Sequence, residues 1–217
     1  LIYDLPPMLV SDDVMAFLAE TEEQAIALAD KIGYPVVLKI DSPDIFYKSD
    51  IGGVELNIGT ASALRHAWRG IMERARSLRP DARIEGVSVQ LMRRRRFARE
   101  VLIGVTHDQA FGPVIVFGAG GIAVEVMKDR ALALPPLNAF LVRQMLSQTR
   151  IGLLLGPFKN VPGIDQDQLV QILLQVSEMV CVLPEILEMD INPFLVDEHG
   201  GIALDARMVV GAVRPDV

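Results

Sequence analysis

Lys39 lies inside the apolar run 36–40, directly after the turn-forming residues Gly33-Tyr34-Pro35. A short run rich in β-branched residues and bounded by turn residues is typical of a buried strand. A buried ammonium is costly unless an anion meets it, so we expect a negatively charged group to bind at Lys39. The alternative is a lysine on an edge strand whose ammonium reaches water.

A glycine pair, Gly52-Gly53, closes the loop that follows this strand. Glycine has no side chain to hold a ligand away, and backbone N–H groups in such loops can bind phosphate. The strand, its lysine and the loop therefore predict a nucleoside triphosphate, with phosphate contacts from Lys39, Gly52 and Gly53.

Polar side chains alternate near the C-terminal end of the sequence. Glu188, Asp190 and Asn192 are two residues apart, so they lie on one face if this segment is a strand. If the strand turns back between residues 198 and 199, Asn192 stands directly opposite Asp205. The hairpin would then bring several oxygen atoms together.

Asp190, Asn192 and Asp205 carry the hard oxygen donors that Mg²⁺ accepts while it keeps several waters and binds phosphate oxygens. We therefore predict a magnesium site at this hairpin. The alternative is a solvated polar face on an edge hairpin, because acidic alternation is common there.

Glu100 and the segment Gln90-Leu91-Met92 are further candidates for nucleotide contacts. Glu100 begins a strand and could accept a hydrogen bond from a ribose hydroxyl or an adenine amine. Gln90 to Met92 could offer backbone groups to a purine edge. Each also has a plain interpretation, as an exposed glutamate and as ordinary strand residues.

Two clusters favour structural interpretations over binding. Arg93–Arg96 with Arg99 is a concentrated positive charge, and a solvated turn is favoured over phosphate steering. Gly118–Gly121 could form a phosphate-binding nest, but no clear helix follows it and a flexible loop is favoured. His66, His107 and His199 lie in separate elements without metal-ligand spacing.

Local patterns predict the elements that must position these residues. Thr21, Thr60, Asn138 and Asp165 precede runs with helical spacing and are candidate N-caps. Apolar residues alternate over 87–91 and 101–105, which predicts a hairpin, and the chain ends in strands over 186–196 and 202–210. The predicted fold class is α+β.

Composition limits the classes of function. The 217 residues are 51% hydrophobic, enough for a core. The net charge of -7 argues against general attraction to nucleic acid or anionic lipid, and no apolar stretch has the roughly 20 residues that cross a bilayer. The single cysteine, Cys181, excludes an internal disulfide and agrees with a cytoplasmic location. On its helix it is expected to be buried.

The same segments, in the same order, resemble the ATP-grasp domain of the NDP-forming acyl-CoA synthetases over nearly the whole chain. The matching segments are Gly33–Ile40, Ser42–Ile45, Lys48–Val54, Arg99–Val105, Phe111–Val114, Phe117–Gly121, Asp190–Pro193 and Leu204–Arg207. The resemblance implies one ATP-grasp domain over 1–217, a fragment of a longer chain, with α+β subdomains over about 21–92 and 93–217 that clasp a nucleotide.

The resemblance also implies roles for single residues. It assigns phosphate contact to Lys39, the adenine hinge to Gln90–Met92 and nucleoside binding to Glu100. It assigns Mg²⁺ to Asn192 and Asp205, with Asp190 nearby. The implied ligands are ATP or ADP and Mg²⁺.

Tyr47 departs from the family pattern. Synthetases of this family usually have a histidine here that is thought to relay phosphate, and a tyrosine is a poor substitute for a neutral imidazole nucleophile. Tyr47 therefore argues against a complete ligase cycle. The segments 133–138 and 212–215 resemble those of bacterial protein-lysine acetyltransferases, which implies that this domain is the regulatory or degenerate synthetase-like region of such a protein.

The parent chain would then supply CoA-binding and GNAT-type domains as partners. The alternatives are an active domain of an ADP-forming acyl-CoA ligase and a nucleotide-free scaffold. Whether the protein forms a homo-oligomer is left open.

Overall fold

The computed structural model describes residues 16–121 and 128–211. The described residues divide into two compact units, one over 16–94 and the other over 95–121 and 128–211. This boundary lies close to the expected one between residues 92 and 93. Both units combine helices with antiparallel strands, so the fold class is α+β as predicted.

In the part that the structure describes, the first unit has a sheet of four strands with two α-helices packed against it. Its sheet has the order β1-β4-β2-β3, so β2 is an interior strand. The elements are β1 (Ala16–Ala19), α1 (Glu22–Ile32), β2 (Val36–Asp41), β3 (Val54–Ile58), α2 (Ala61–Leu78) and β4 (Gly86–Leu91). Apolar residues of α2, such as Leu64 and Ile71, are fully buried with Leu38 and Ile40 of β2.

Local hydrogen bonds explain where the helices begin. The hydroxyl of Thr21 accepts from the N–H of Gln24 at 3.2 Å, and the side chain of Gln24 accepts from the N–H of Glu20 at 2.8 Å. Thr60 caps α2 in the same way, with its hydroxyl accepting from Ala63 N–H at 3.2 Å. The predicted caps are therefore confirmed, since short-range side-chain bonds satisfy the first free N–H groups.

Over its described residues, the second unit has a sheet of six strands with two α-helices packed on one face. Five strands follow the order β10-β8-β5-β6-β7, and β9 pairs with β8. The elements are β5 (Arg99–Asp108), β6 (Gly112–Ala119), β7 (Arg130–Ala133), α3 (Ala139–Ser147), α4 (Gln166–Val182), β8 (Ile186–Asp197), β9 (Gly200–Ala203) and β10 (Ala206–Val210).

Alternate residues of the central strands form the core of the second unit. Val101, Ile103 and Val105 of β5 are buried with residues of α3 and α4, such as Val142 and Leu169. Because side chains alternate along a strand, the other residues of β5 belong to the opposite face, and these include Glu100, Leu102 and Gly104. That opposite face carries the predicted polar groups.

The C-terminal hairpin has the predicted register. Asp197 pairs with Gly200, which centres the turn between residues 198 and 199. The N–H of Asn192 donates to the carbonyl of Asp205 at 3.1 Å, so these residues stand opposite each other. The returning chain is split into β9 and β10, and Asp205 lies at the junction.

The predicted hairpin between 87–91 and 101–105 is wrong. β4 pairs with β1 and β2, whereas β5 pairs with β6 and β8 in the other unit. Alternation shows that each segment is a strand but does not identify its neighbour.

The arginine cluster is only partly solvated. Arg99 is buried, and its guanidinium donates to the carbonyls of Leu154, Phe97, Gly156 and Pro162 at 2.6–3.2 Å. Arg95 forms an ion pair with the buried Asp197 at 3.0 Å. The expectation of a solvated turn is therefore wrong for Arg95 and Arg99, because both anchor loops of the second unit.

Cys181 is exposed on α4, which corrects the expectation that it is buried.

Among the described residues, no helix is both long and apolar enough to span a bilayer.

Candidate functional site

Lys39 lies on the interior strand β2, where it pairs with Val54 of β3 and Ser88 of β4. The residue is only 8% exposed. The alternative of an edge-strand lysine in water is therefore wrong. A buried positive charge is costly unless an anion meets it, and the anionic ligand expected at Lys39 stays a prediction.

Gly52 and Gly53 pack closely against their own unit. The N–H of Gly53 donates to Lys48 O at 2.7 Å, and its carbonyl accepts from Ile40 N–H at 2.7 Å. The N–H of Gly52 donates to Ser49 O at 3.0 Å. Both N–H groups thus form bonds within the loop, and the phosphate contact predicted for the two glycines stays a prediction.

Steric contacts give a separate reason for both glycines. A Cβ on Gly53 would lie 2.6 Å from Ile40 Cγ2, and one on Gly52 would lie 2.8 Å from Nε of Arg74. Gly52 also has a φ of 62°, which favours glycine. The glycine pair therefore holds the loop against β2 and α2, beside Lys39.

Gln90 and Leu91 end β4, and Met92 follows it. Gln90 pairs with Val37 and Ala16, and the N–H of Met92 donates to Pro35 O at 2.8 Å. All of Gln90, Leu91 and Met92 are half-buried. Their backbone position is defined by β2, and their contact with a purine stays a prediction.

Glu100 is the second residue of β5 in the second unit and is exposed. Its carbonyl accepts from Gly120 N–H at 2.8 Å. Its carboxylate lies against Gly121, where an added Cβ would overlap Oε2. The glycine segment 118–121 is therefore packed closely against the start of β5, which differs from the flexible loop that the sequence favoured.

Asn192 connects this glycine segment to the C-terminal hairpin. Its Oδ1 accepts from Gly121 N–H at 2.8 Å, while its own N–H donates to Asp205 O at 3.1 Å. An amide oxygen has two lone pairs, so Oδ1 can accept this bond and still coordinate a cation. The structure thus brings Glu100, Gly121, Asn192 and Asp205 together.

Asp190 shares this face of the sheet but has basic neighbours. Arg207 on β10 is its direct cross-strand partner. Burial raises the pKa of the Asp190 carboxyl, the positive charges of Arg207 and Arg130 oppose that rise, and Asp205 adds to it. The sequence argument counted only the acidic residues here, whereas the sheet also presents two guanidinium groups.

The hairpin is not wholly at an edge. β8 lies between β5 and β10, and Asp190 and Asn192 are half-buried on it. The alternative of a solvated polar face on an edge hairpin is therefore wrong for β8, which is an interior strand. Its register puts Arg207 rather than a second carboxylate opposite Asp190.

The donor set suits one kind of metal. Over the described ranges, no group of three or more His, Cys, Asp or Glu side chains could hold an ion. Asn192 and Asp205 offer a small set of oxygens, and Asp190 lies two residues before Asn192 on β8, opposite Arg207. This fits Mg²⁺, which keeps several waters and shares phosphate oxygens, and it does not fit an all-protein zinc or calcium cage.

The loop between β2 and β3 presents Tyr47 at the surface. The Tyr47 residue is 66% exposed, and its carbonyl accepts from Asp50 N–H at 3.3 Å. Both ends of the loop are fixed, because Ile45 and Ile51 are buried in the core of the first unit. Tyr47 is therefore displayed by an anchored loop.

Comparisons with known proteins cover nearly the whole chain. Residues 13–210 match the model of the ATP-grasp domain family. The chain is 39% identical over 193 residues to the acetate–CoA ligase (ADP-forming) I subunit beta of Pyrococcus furiosus, covering 89% of this chain and 82% of that protein. It is 40% identical over 194 residues to the acetate–CoA ligase (ADP-forming) I of Archaeoglobus fulgidus, covering 89% of this chain but 28% of that protein.

A solved relative has the same fold. The dinucleotide forming acetyl-coenzyme A synthetase 1 of Ca. Korarchaeum cryptofilum, with coenzyme A and Ca-AMPCP, gives a TM-score of 0.82 at 34% identity, covering 91% of this chain and 85% of that one. Its complex with coenzyme A and Mg-AMPPCP, in which a phosphohistidine segment points towards the nucleotide binding site, gives 0.70 at 28% identity, covering 92% and 86%.

Proposed function

Because this chain belongs to the ATP-grasp family, we propose that it is the nucleotide-binding, phosphoryl-transferring domain of an ADP-forming acyl-CoA ligase. The observation that carries the proposal is the 39% identity to a ligase beta subunit along 89% of the chain. The sequence favoured an acetyltransferase and kept the ligase as its alternative. The relatives described above are ligases or synthetases, and they support the alternative.

Lys39 is the phosphate-binding residue in this proposal. The residue is 8% exposed on the interior strand β2, so its side chain has little access to water. A fixed positive charge in a poorly hydrated position stabilises the charge that develops on a transferred phosphoryl group. In the same proposal, Gln90–Met92 would form the adenine hinge and Glu100 would bind the nucleoside.

Asn192 and Asp205 are the residues that would hold Mg²⁺, with Asp190 beside them. When bound, the ion neutralises charge on the phosphate oxygens during transfer. The chain's own contribution is orientation: the Gly121 N–H fixes Asn192 Oδ1, and the backbone bond between Asn192 and Asp205 keeps the two residues opposite each other.

The acceptor in this proposal is a histidine that this chain does not provide. Position 47 is tyrosine, and the three histidines of the chain lie in separate exposed positions. In the transfer, the bond between the γ-phosphorus and the oxygen of the leaving ADP breaks and a bond to an imidazole nitrogen forms. The phosphohistidine segment of the Korarchaeum synthetase is the precedent for such an acceptor.

Titration of the full chain with Mg-ADP and Mg-ATP tests the proposal. A ligand at 100 times its Kd should stabilise the protein by about 2.7 kcal/mol, which a thermal-shift measurement detects. Lys39→Ala is expected to abolish the shift and the calorimetric binding signal. Lys31→Ala, which removes an exposed lysine at the end of α1 in the same unit, is the matched control.

Two outcomes would contradict the proposal. If the wild-type chain shows no shift with millimolar Mg-ADP or Mg-ATP, the domain is a nucleotide-free scaffold. If Lys39→Ala and Lys31→Ala bind nucleotide equally well, the phosphate contact is made elsewhere.

A further inference from the structure

We propose that Gly121 is a positioning residue that fixes the Glu100 carboxylate and the Asn192 amide together, and so couples nucleoside binding to metal binding. The inference rests on the proposed function, in which Glu100 and Asn192 bind nucleotide and Mg²⁺. Gly121 itself has no side chain to contact a ligand. Its effect would pass through the two residues that it touches.

Gly121 contacts both Asn192 and Glu100. Its N–H donates to Asn192 Oδ1 at 2.8 Å, across 71 residues of sequence. Its Cα faces the Glu100 carboxylate so closely that an added Cβ would overlap Oε2. Gly121 also has a φ of 63°, a conformation that favours glycine.

The surrounding backbone makes this arrangement stiff. Val101 pairs with Ala119 in the β5–β6 ladder, and Gly120 N–H donates to Glu100 O at 2.8 Å. A Cβ on Gly120 would overlap the backbone of Val101, so this neighbour too must be glycine for the strands to stay close. Gly121 therefore cannot move away from Glu100 without breaking the end of the β5–β6 ladder.

A methyl group at position 121 would disturb both Glu100 and Asn192. It would displace the Glu100 carboxylate from its present position, and it would strain the backbone that directs the N–H at Asn192. Loss of the hydrogen bond from this N–H would free the Asn192 amide to rotate and would remove the fixed direction of Oδ1. Residues that orient metal ligands typically change metal affinity by about 10- to 100-fold when they are altered.

Gly112 offers a matched control at the other end of β6. It also has a positive φ, 74°, but an added Cβ meets no atom within 4 Å. Gly112→Ala therefore imposes comparable backbone strain without displacing a site residue. Both alanine variants are expected to lower the melting temperature by similar amounts.

The test measures Mg-ADP affinity by calorimetry, with and without Mg²⁺, for the full-length variants. Gly121→Ala is expected to weaken Mg-ADP binding by about 10- to 100-fold and to reduce the benefit of Mg²⁺, whereas Gly112→Ala keeps wild-type affinity. If Gly121→Ala fails to fold, Gly121→Asn replaces it, because asparagine adopts positive φ more readily and still carries a Cβ.

A double variant tests whether the effect passes through Glu100. In the Glu100→Ala background the displaced carboxylate is absent, so Gly121→Ala should weaken metal-free ADP binding much less than it does alone. Full additivity would overturn the coupling to Glu100. Equal affinities of Gly121→Ala and Gly112→Ala, in a chain that binds nucleotide, would overturn the whole inference. Absence of binding by the wild-type chain would instead overturn the proposed function.

Discussion

Asn192 and Asp205 differ in what holds them. The Asn192 side chain accepts a defined bond from Gly121 N–H, and it sits on the interior strand β8. Asp205 lies where the returning chain passes from β9 to β10, and the bond from Asn192 N–H to its carbonyl fixes its backbone. A rigid amide and a backbone-anchored carboxylate suit a cation that needs few protein ligands.

Asn192→Ala and Asp205→Ala are therefore expected to remove the magnesium dependence of ADP binding and to leave weak metal-free affinity. Calorimetry with and without Mg²⁺ measures this, and a loss of about tenfold corresponds to 1.4 kcal/mol. The control is Asp167→Ala, because the Asp167 side chain is 85% exposed in a surface ion pair with Arg143. A normal response to Mg²⁺ in both hairpin variants would show that the ion binds elsewhere.

At the scale of elements, Arg74 ties α2 to the loop that carries Gly52. Its Nε donates to Gly52 O at 2.9 Å, and it forms an ion pair with Glu55 at 2.8 Å. Gly70 leaves room for the guanidinium, since an added Cβ there would lie 3.1 Å from Arg74. A glycine inside a helix is otherwise unfavourable, so this contact explains its presence.

Arg74→Ala is expected to lower the free energy of unfolding by about 1–2 kcal/mol, because one hydrogen bond to a carbonyl and one half-exposed ion pair are lost. Urea unfolding measures the change, and nucleotide titration reports whether the loosened loop also weakens binding. Arg76→Ala, an exposed arginine on the same helix, should stay within about 0.5 kcal/mol of wild type. Equal stabilities of the two variants would mean that the loop does not depend on α2.

These elements show which features of the fold and the candidate site could be predicted from the sequence. The helix caps at Thr21 and Thr60 were predictable because their hydrogen bonds span three residues. The partners of β4 were not, since strand pairing depends on residues far apart in sequence. The burial of Lys39 on a strand could be predicted from its apolar neighbours. The bond from Gly121 to Asn192 spans 71 residues, so no local pattern indicates it.

At the scale of the whole molecule, the chain has more acidic than basic residues and three histidines that could accept a phosphoryl group. The net charge is -7, so the positive charges that meet a nucleotide must be local ones such as Lys39. His66, His107 and His199 are all exposed and occupy separate elements. A phosphoryl acceptor must be held in line with the leaving oxygen, and none of the three histidines lies in the loop between β2 and β3 that carries Tyr47.

We therefore expect the full chain to remain unphosphorylated when it is incubated with Mg-ATP alone. Intact-mass spectrometry at neutral and alkaline pH, where phosphohistidine survives, measures this directly. A histidine-containing acceptor protein should gain a phosphoryl group only when Lys39 is present. The Lys31→Ala variant is the positive control for that transfer. A phosphorylated histidine or Tyr47 in the isolated chain would contradict the external acceptor, because it would show that the chain carries its own nucleophile within reach of the nucleotide.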